Sequence, residues 1–212
     1  MTKKIIVFDM DGVLFDTIGF ARESFIKRRP GMTKEMYDDL HSSNYHNEAR
    51  KYDHLKIPIT EEEEKKYIEE YSIKKSEATM FEGMKELLLE LHAKGSALVL
   101  NTNAYEINCL PLLENAGIKD IFDYIACAEV SKDKVEKFGI IEKKFDAAKT
   151  DIIFVTDALG DAKDAEQAGV STIAVTFGVH NRSYFEEGKL PNLLGIVNSP
   201  GELKELLHTL MM

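Results

Sequence analysis

Cysteine is scarce: the 212 residues contain only Cys109 and Cys127. They lie in different predicted elements, without metal-type pairing and without the density of a disulfide framework. A disulfide-built secreted scaffold is therefore excluded, and free thiols in a reducing cytoplasm are expected. Long apolar runs are missing as well. The basic start Met1-Thr2-Lys3-Lys4 leads into Ile5–Phe8, but Asp9 ends that run after four residues. A signal-peptide core needs more, and a membrane span far more. Positive charge is in deficit too: 27 lysines and arginines stand against 37 acidic residues, a net charge of -10. Such a surface repels polyanions, so nucleic acid is excluded as an expected partner. There are no repeats or low-complexity tracts. What is present, 44% hydrophobic and 30% charged residues, is the make-up of a folded soluble protein with ample core material.

Short apolar runs recur along the chain, at Ile5–Phe8, Ala97–Leu100, Tyr124–Ala126, Ile152–Val155 and Thr172–Val175, with a weaker one at Gly195–Val197. Continuous runs rich in branched residues are the pattern of strands buried on both faces of a parallel sheet. Helical periodicity lies between them, at Gly83–Lys94, Ala104–Ala116, Asp161–Ala168 and Glu202–Leu210, most of it closed by glycine. Alternation of this kind predicts an α/β fold, a Rossmann-like doubly wound parallel sheet. Residues 16–80 break the alternation. They hold only helical patterns, at Phe20–Arg29, Lys34–His41, Asn47–Leu55 and Lys65–Lys75, the last preceded by a Thr60/Glu63 capping box and an acidic first turn. The expected organisation is a core of residues 1–15 and 81–212 with an all-helical insert, 16–80.

Ligands of open parallel sheets bind beyond the carboxyl ends of the strands. The polar residues delivered there are Asp9 and Asp11 after the first run, Thr102 after the second, Ser131 and Lys132 after the third, and Asp157 with Asp161 after the fourth. Carboxylates so gathered need a cation, and an oxygen-preferring divalent metal, Mg2+, fits best. In Asp9-Met10-Asp11-Gly12, residues two apart can face one cavity while Gly12 frees the backbone to turn. One carboxylate can attack phosphorus while the other moves protons, a covalent two-step route. A lysine is needed to offset the nucleophile's charge against an incoming anion.

The stretch Asp9-Met10-Asp11-Gly12-Val13-Leu14-Phe15-Asp16-Thr17 closely resembles the first signature motif of the haloacid dehalogenase-like hydrolases. Leu98-Val99-Leu100-Asn101-Thr102-Asn103 resembles the second, and Asp157-Ala158-Leu159-Gly160-Asp161, continuing to Gly169, the fourth. The resemblance implies an aspartyl-phosphate intermediate on Asp9, acid/base work by Asp11, and a phosphoryl-binding hydroxyl on Thr102 beside Asn103. It implies a metal site drawn from Asp9, Asp11, Asp157 and Asp161. Two positions depart from the family pattern. Thr156 precedes Asp157 where glycine or an acid is usual, and its hydroxyl is expected to reach the metal shell through water. The third motif lacks its proline; spacing from Asp157 selects Lys132 as its lysine, with Lys134 as competitor.

The insert resembles the helical cap by which this superfamily closes its active site and chooses a substrate. Arg22, Arg28, Arg29, Arg50, Lys51, His41 and His46 are then candidates for gripping an anionic leaving group, with Arg50 preferred. The expected activity is hydrolysis of a small phosphorylated metabolite by a cytoplasmic monomer or homodimer. A phosphomutase of β-phosphoglucomutase type is the alternative. A catalytically silent member is disfavoured because Asp9 and Asp157 are both kept, and a dehalogenase because it needs neither Asp11 nor a metal.

Overall fold

The six apolar runs become six strands of one parallel sheet in the computed structural model, which describes residues 4–211; Met1–Lys3 of the basic start lie outside the described residues. In chain order the core elements are β1 (Ile5–Phe8), α5 (Met84–Ala93), β2 (Ala97–Asn101), α6 (Glu106–Ala116), β3 (Tyr124–Ala126), α7 (Lys134–Phe145), β4 (Ile152–Thr156), α8 (Leu159–Ala168), β5 (Ser171–Val175), α9 (Arg182–Gly188), β6 (Leu193–Val197) and α10 (Pro200–Leu210). The insert between β1 and α5 holds α1 (Ile18–Lys27), α2 (Lys34–Asp39), α3 (Tyr45–Arg50) and α4 (Glu61–Ser76). Strand order is β3-β2-β1-β4-β5-β6. The chain winds outward from β1 in both directions, so the crevice at the carboxyl end of β1 is the topological switch point.

Alternate residues of β1 explain why both faces must be covered. Ile6 and Phe8 pack with Leu87 and Leu91 of α5, Leu112 of α6 and Leu203 of α10. Ile5 and Val7 point the other way, to Phe138 and Ile141 of α7 and Ala165 of α8. All four β1 residues are buried, each burial stabilising by about 1.5–3 kcal/mol. Cys109 and Cys127 are buried free thiols. Among the described residues no helix is long and apolar enough to cross a membrane.

The insert has its own small core, in which Met32, Tyr37 and Leu40 are buried against Phe25, Ile26 and Tyr45. Its two connections run side by side: Phe15 bridges Met80, the Asp16 N–H donates to the Thr79 carbonyl and the Phe81 N–H to the Leu14 carbonyl. The Thr60/Glu63 capping box forms and starts α4. The helix expected over Asn47–Leu55 is shorter than its pattern. It begins at Tyr45 under an Asn44 cap and stops at Arg50, because the following segment turns back to α1, where Asp53 meets Arg29 at 3.1 Å and the Ile57 N–H reaches the Arg28 carbonyl. Two core helices, α7 and α9, have no counterpart in the periodicity reading. Glycine and five lysines across Lys132–Lys144 mask α7, although its buried Lys134, Lys137, Phe138 and Ile141 fall at helical spacing.

Candidate active site

Asp9 continues directly from β1, its N–H still donating to the Val155 carbonyl at 3.0 Å. Its carboxylate is fixed at both oxygens, Oδ1 by the Met10 N–H at 2.7 Å and Oδ2 by the Lys134 ammonium at 2.8 Å. Thr102 and Asp157 follow β2 and β4 in the same way, so sheet geometry alone brings them to the same edge. With Asp11, Asn103, Lys134 and Asp161 they line one cavity of about 220 Å³. Gly12 takes φ +73°, and a Cβ there would strike the Asp157 carboxylate. Glycine is thus required both for the turn and for the approach of the two motifs.

Of the two candidate lysines, α7 brings Lys134 to Asp9 and leaves Lys132, which the spacing argument had selected, outside the cavity lining. Asp133 caps that helix by accepting the Val135 and Glu136 N–H groups, which places Lys134 in the first turn facing inward and fully buried. Lys134 bridges Asp9 and Asp161, at 2.8 and 2.6 Å. Lys132 precedes the cap, is exposed, and lies over the Tyr105 ring at 5.2 Å, outside the cavity lining. Sequence reading missed Lys137, one turn on. Its buried ammonium donates to the Thr102 carbonyl at 2.6 Å and to Asn103 Oδ1 at 3.1 Å, so it positions the β2 loop. Burial, helped by neighbouring Lys134, pushes Lys137 down to about 8.

Sequence reading also missed Lys75. From the end of α4 its ammonium meets Asp11 Oδ2 at 2.7 Å, while the Thr17 hydroxyl donates to Asp11 Oδ1 at 2.7 Å. Asp11 is thereby held as an acceptor at both oxygens. The four expected metal carboxylates are accordingly not equivalent. Those of Asp11 and Asp161 are engaged by lysines, and among the described residues no group of three or more His, Cys, Asp or Glu side chains forms a metal cage. The Thr156 hydroxyl accepts the Ala158 N–H at 3.2 Å and lies 3.5 Å from Asp161.

That leaves Asp157, which forms no ion pair among the described residues, beside Asp9, which shares Lys134 with Asp161. Burial, outweighing Lys134, pushes Asp9 up to about 7. Asp157 is 2% exposed; burial and then the charge of Asp9 hold it well above the carboxylate range, and the Val179 N–H at 2.7 Å only partly offsets them. Lys134 stays charged: burial opposes its ammonium, but Asp161 and Asp9 outweigh that and raise it. Two adjacent buried carboxylates opening on a cavity fit a hard divalent cation, since magnesium commonly takes one or two carboxylates and fills its shell with water and phosphate oxygens.

The insert roofs the cavity with Tyr37, His41, Tyr45, His46 and Tyr71. Of the residues expected to grip an anion, Arg22 pairs with Asp38, Arg28 with Glu64, Arg29 with Asp53 and Lys51 with Glu48, and exposed Arg50 lies outside the lining. The roof is pinned to the core by His180, which accepts the Leu159 N–H at Nδ1 and donates from Nε2 to the Asp38 carbonyl at 3.0 Å. Its ring stacks on Tyr184 at 4.1 Å, and the Tyr184 hydroxyl donates to Asp39. Gly160 completes the seat: a Cβ there would run into the Ser43 backbone of the insert.

The chain resembles known proteins in sequence and in fold. The profile of the haloacid dehalogenase-like hydrolases matches residues 6–175. The chain is 29% identical over 188 residues to a phosphoglycolate phosphatase of Agrobacterium fabrum, covering 81% of this chain and 80% of that one. Its fold is similar to that of a haloacid dehalogenase-like hydrolase of Streptococcus pneumoniae, with TM-score 0.73, 19% identity, and 98% and 100% of the two chains covered. It is similar also to a β-phosphoglucomutase-like protein of Thermotoga maritima, with TM-score 0.71, 19% identity and 98% of each chain covered.

Proposed function

Because the chain belongs to the haloacid dehalogenase-like hydrolases, we propose that it is a magnesium-dependent phosphatase that cuts a small phosphomonoester through an aspartyl-phosphate on Asp9. The observation that carries the reading is the bridge of buried Lys134 to Asp9 at the switch point, beside a second buried carboxylate, Asp157, that lacks a countercharge. An Asp9 oxygen forms the bond to phosphorus as the ester P–O bond breaks, and Asp11 passes to the departing oxygen a proton drawn from the Lys75 ammonium that it contacts, a proton regained when water is split. Lys134 and the Thr102 hydroxyl stabilise the phosphoryl oxygens as charge shifts onto them. Asp11, which Lys75 and Thr17 hold as an acceptor, then takes a proton from the water that splits the aspartyl-phosphate, releasing phosphate and restoring Asp9. Magnesium held by Asp9, Asp157 and the Asp11 carbonyl would supply charge neutralisation at the phosphoryl oxygens.

In this reading residues 16–80 act as a cap that excludes water, docked through His180 and Gly160. The test is phosphate release from a panel of phosphorylated metabolites, with magnesium and with chelator, and with a hexose phosphate included to detect mutase products. Metal-dependent release is expected, and activity that survives complete chelation would contradict the reading.

A further inference from the structure

The cap side of the cavity bears on which ester is cut. Its rings form a continuous wall, with Tyr37 to His41 centroids 5.2 Å apart, His41 to Tyr45 4.7 Å and Tyr45 to His46 5.7 Å. Nε2 of His41 and Nε2 of His46 are each buried without a hydrogen-bond partner. Burial first, then neighbouring His180, pushes His41 down to about 3, and burial with nearby Lys132 and Arg50 lowers His46. Both rings are therefore neutral at pH 7 and offer a donor or an acceptor but no charge. The two ammonium groups lining the cavity are committed, Lys134 to Asp9 and Asp161 and Lys75 to Asp11. A leaving group with a carboxylate next to its phosphate would be buried among Asp9, Asp11 and Asp157 with no unpaired lysine or arginine in the described lining to meet it. A hydroxyl would instead satisfy an orphaned imidazole nitrogen while its carbon chain packs on the rings.

Resting on the phosphatase reading, we propose that this enzyme selects phosphomonoesters of uncharged, hydroxyl-bearing alcohols and discriminates against esters with a carboxylate beside the phosphate, phosphoglycolate included. The experiment compares kcat/KM of the full chain with magnesium for hydroxyethyl phosphate and phosphoglycolate, which differ in little but the carboxylate, with acetyl phosphate as probe of the hydrolytic machinery. Hydroxyethyl phosphate is expected to be preferred by about tenfold or more, the discrimination typical of an unmet polar group. Hydrolysis of acetyl phosphate with phosphoglycolate equal or preferred would overturn the inference alone. No hydrolysis of any of the three would overturn the phosphatase reading and the inference with it. A second readout is the preference for hydroxyethyl over ethyl phosphate, a ratio independent of the folded fraction. His41→Phe with His46→Phe should collapse it, and an unchanged ratio would overturn the hydroxyl recognition.

Discussion

The sheet edge and the helical insert supply opposite walls of one cavity, and they are built on opposite electrostatic plans. The edge crowds Asp9, Asp157, Asp161 and Lys134 together, whereas the insert contributes aromatic rings and a single lysine, Lys75. Burial acts on both with opposite results: it pushes Asp9 up to about 7 and His41 down to about 3. Each wall thereby resists the ionic form of its own residues. On the proposed reading the edge regains charge through lysine and magnesium to move a phosphoryl group, while the rings of the insert stay neutral and sort leaving groups.

The largest effect expected from breaking this contrast is at Asp9. Asp9→Asn removes the atom that bonds to phosphorus, and turnover should fall by roughly 10⁴-fold or more, read by phosphate release. Asp11→Asn removes proton transfer, worth about 10²–10⁴-fold. Its slowing of the pre-steady-state burst should be large for an alkyl phosphate and small for a nitrophenyl phosphate, and equal slowing would mean that Asp11 is not the acid.

Lys134→Met and Lys132→Met sharpen the comparison within one segment. Loss of Lys134 strands buried Asp9 and half-buried Asp161 and should cost roughly 3–5 kcal/mol by chemical denaturation, besides most of the activity. Lys132→Met should change neither. Gly160→Ala separates the walls by wedging a methyl group against Ser43. Forced overpacking costs about 1–3 kcal/mol, so a lower Tm and a raised KM are expected.

The smallest effect is on pH dependence in chelator. Between 3.8, the ordinary carboxylate value, and about 7, native Asp9 keeps a proton that the unfolded chain has released, so stability falls as pH rises through that window. Native His41 refuses, between about 3 and 6.5, a proton that the unfolded chain takes up, so its contribution rises with pH. The two oppose each other in the unaltered protein. Buried Asp157, raised in the same way, adds to the falling limb, so from pH 4 to 7 denaturation of Asp9→Asn should show a shallower fall and His41→Phe a steeper one; identical profiles would break the comparison.

The same contrast decided what the sequence made legible. A residue that follows a buried strand has its position set by the sheet, so Asp9, Thr102 and Asp157 could be placed at one edge from their apolar runs alone. Lys134 needed the helix that carries it. Counting back from Asp157 selected Lys132, while the buried spacing of Lys134, Lys137, Phe138 and Ile141 held the answer in a pattern hidden by lysines and Gly139. Lys75 and His180 could not be read at all. Each acts across the boundary between insert and core, 64 residues from Asp11 and 142 from Asp38, and nothing local marks such a partner. The arginines of the insert misled for a related reason: their charges suit an anion, but Asp38, Glu64 and Asp53 take them up within the insert itself.

Every step of the proposed chemistry depends on a covalent bond between Asp9 and phosphorus. Full-chain enzyme mixed with magnesium and acetyl phosphate, quenched within its first turnovers and treated with borohydride, converts an aspartyl-phosphate into a reduced residue that peptide mapping locates. Reduction is expected at position 9, stronger in Asp11→Asn, where breakdown is slowed, and absent with chelator. Steady turnover with Asp9 unmodified, or modification of another residue in its place, would contradict it.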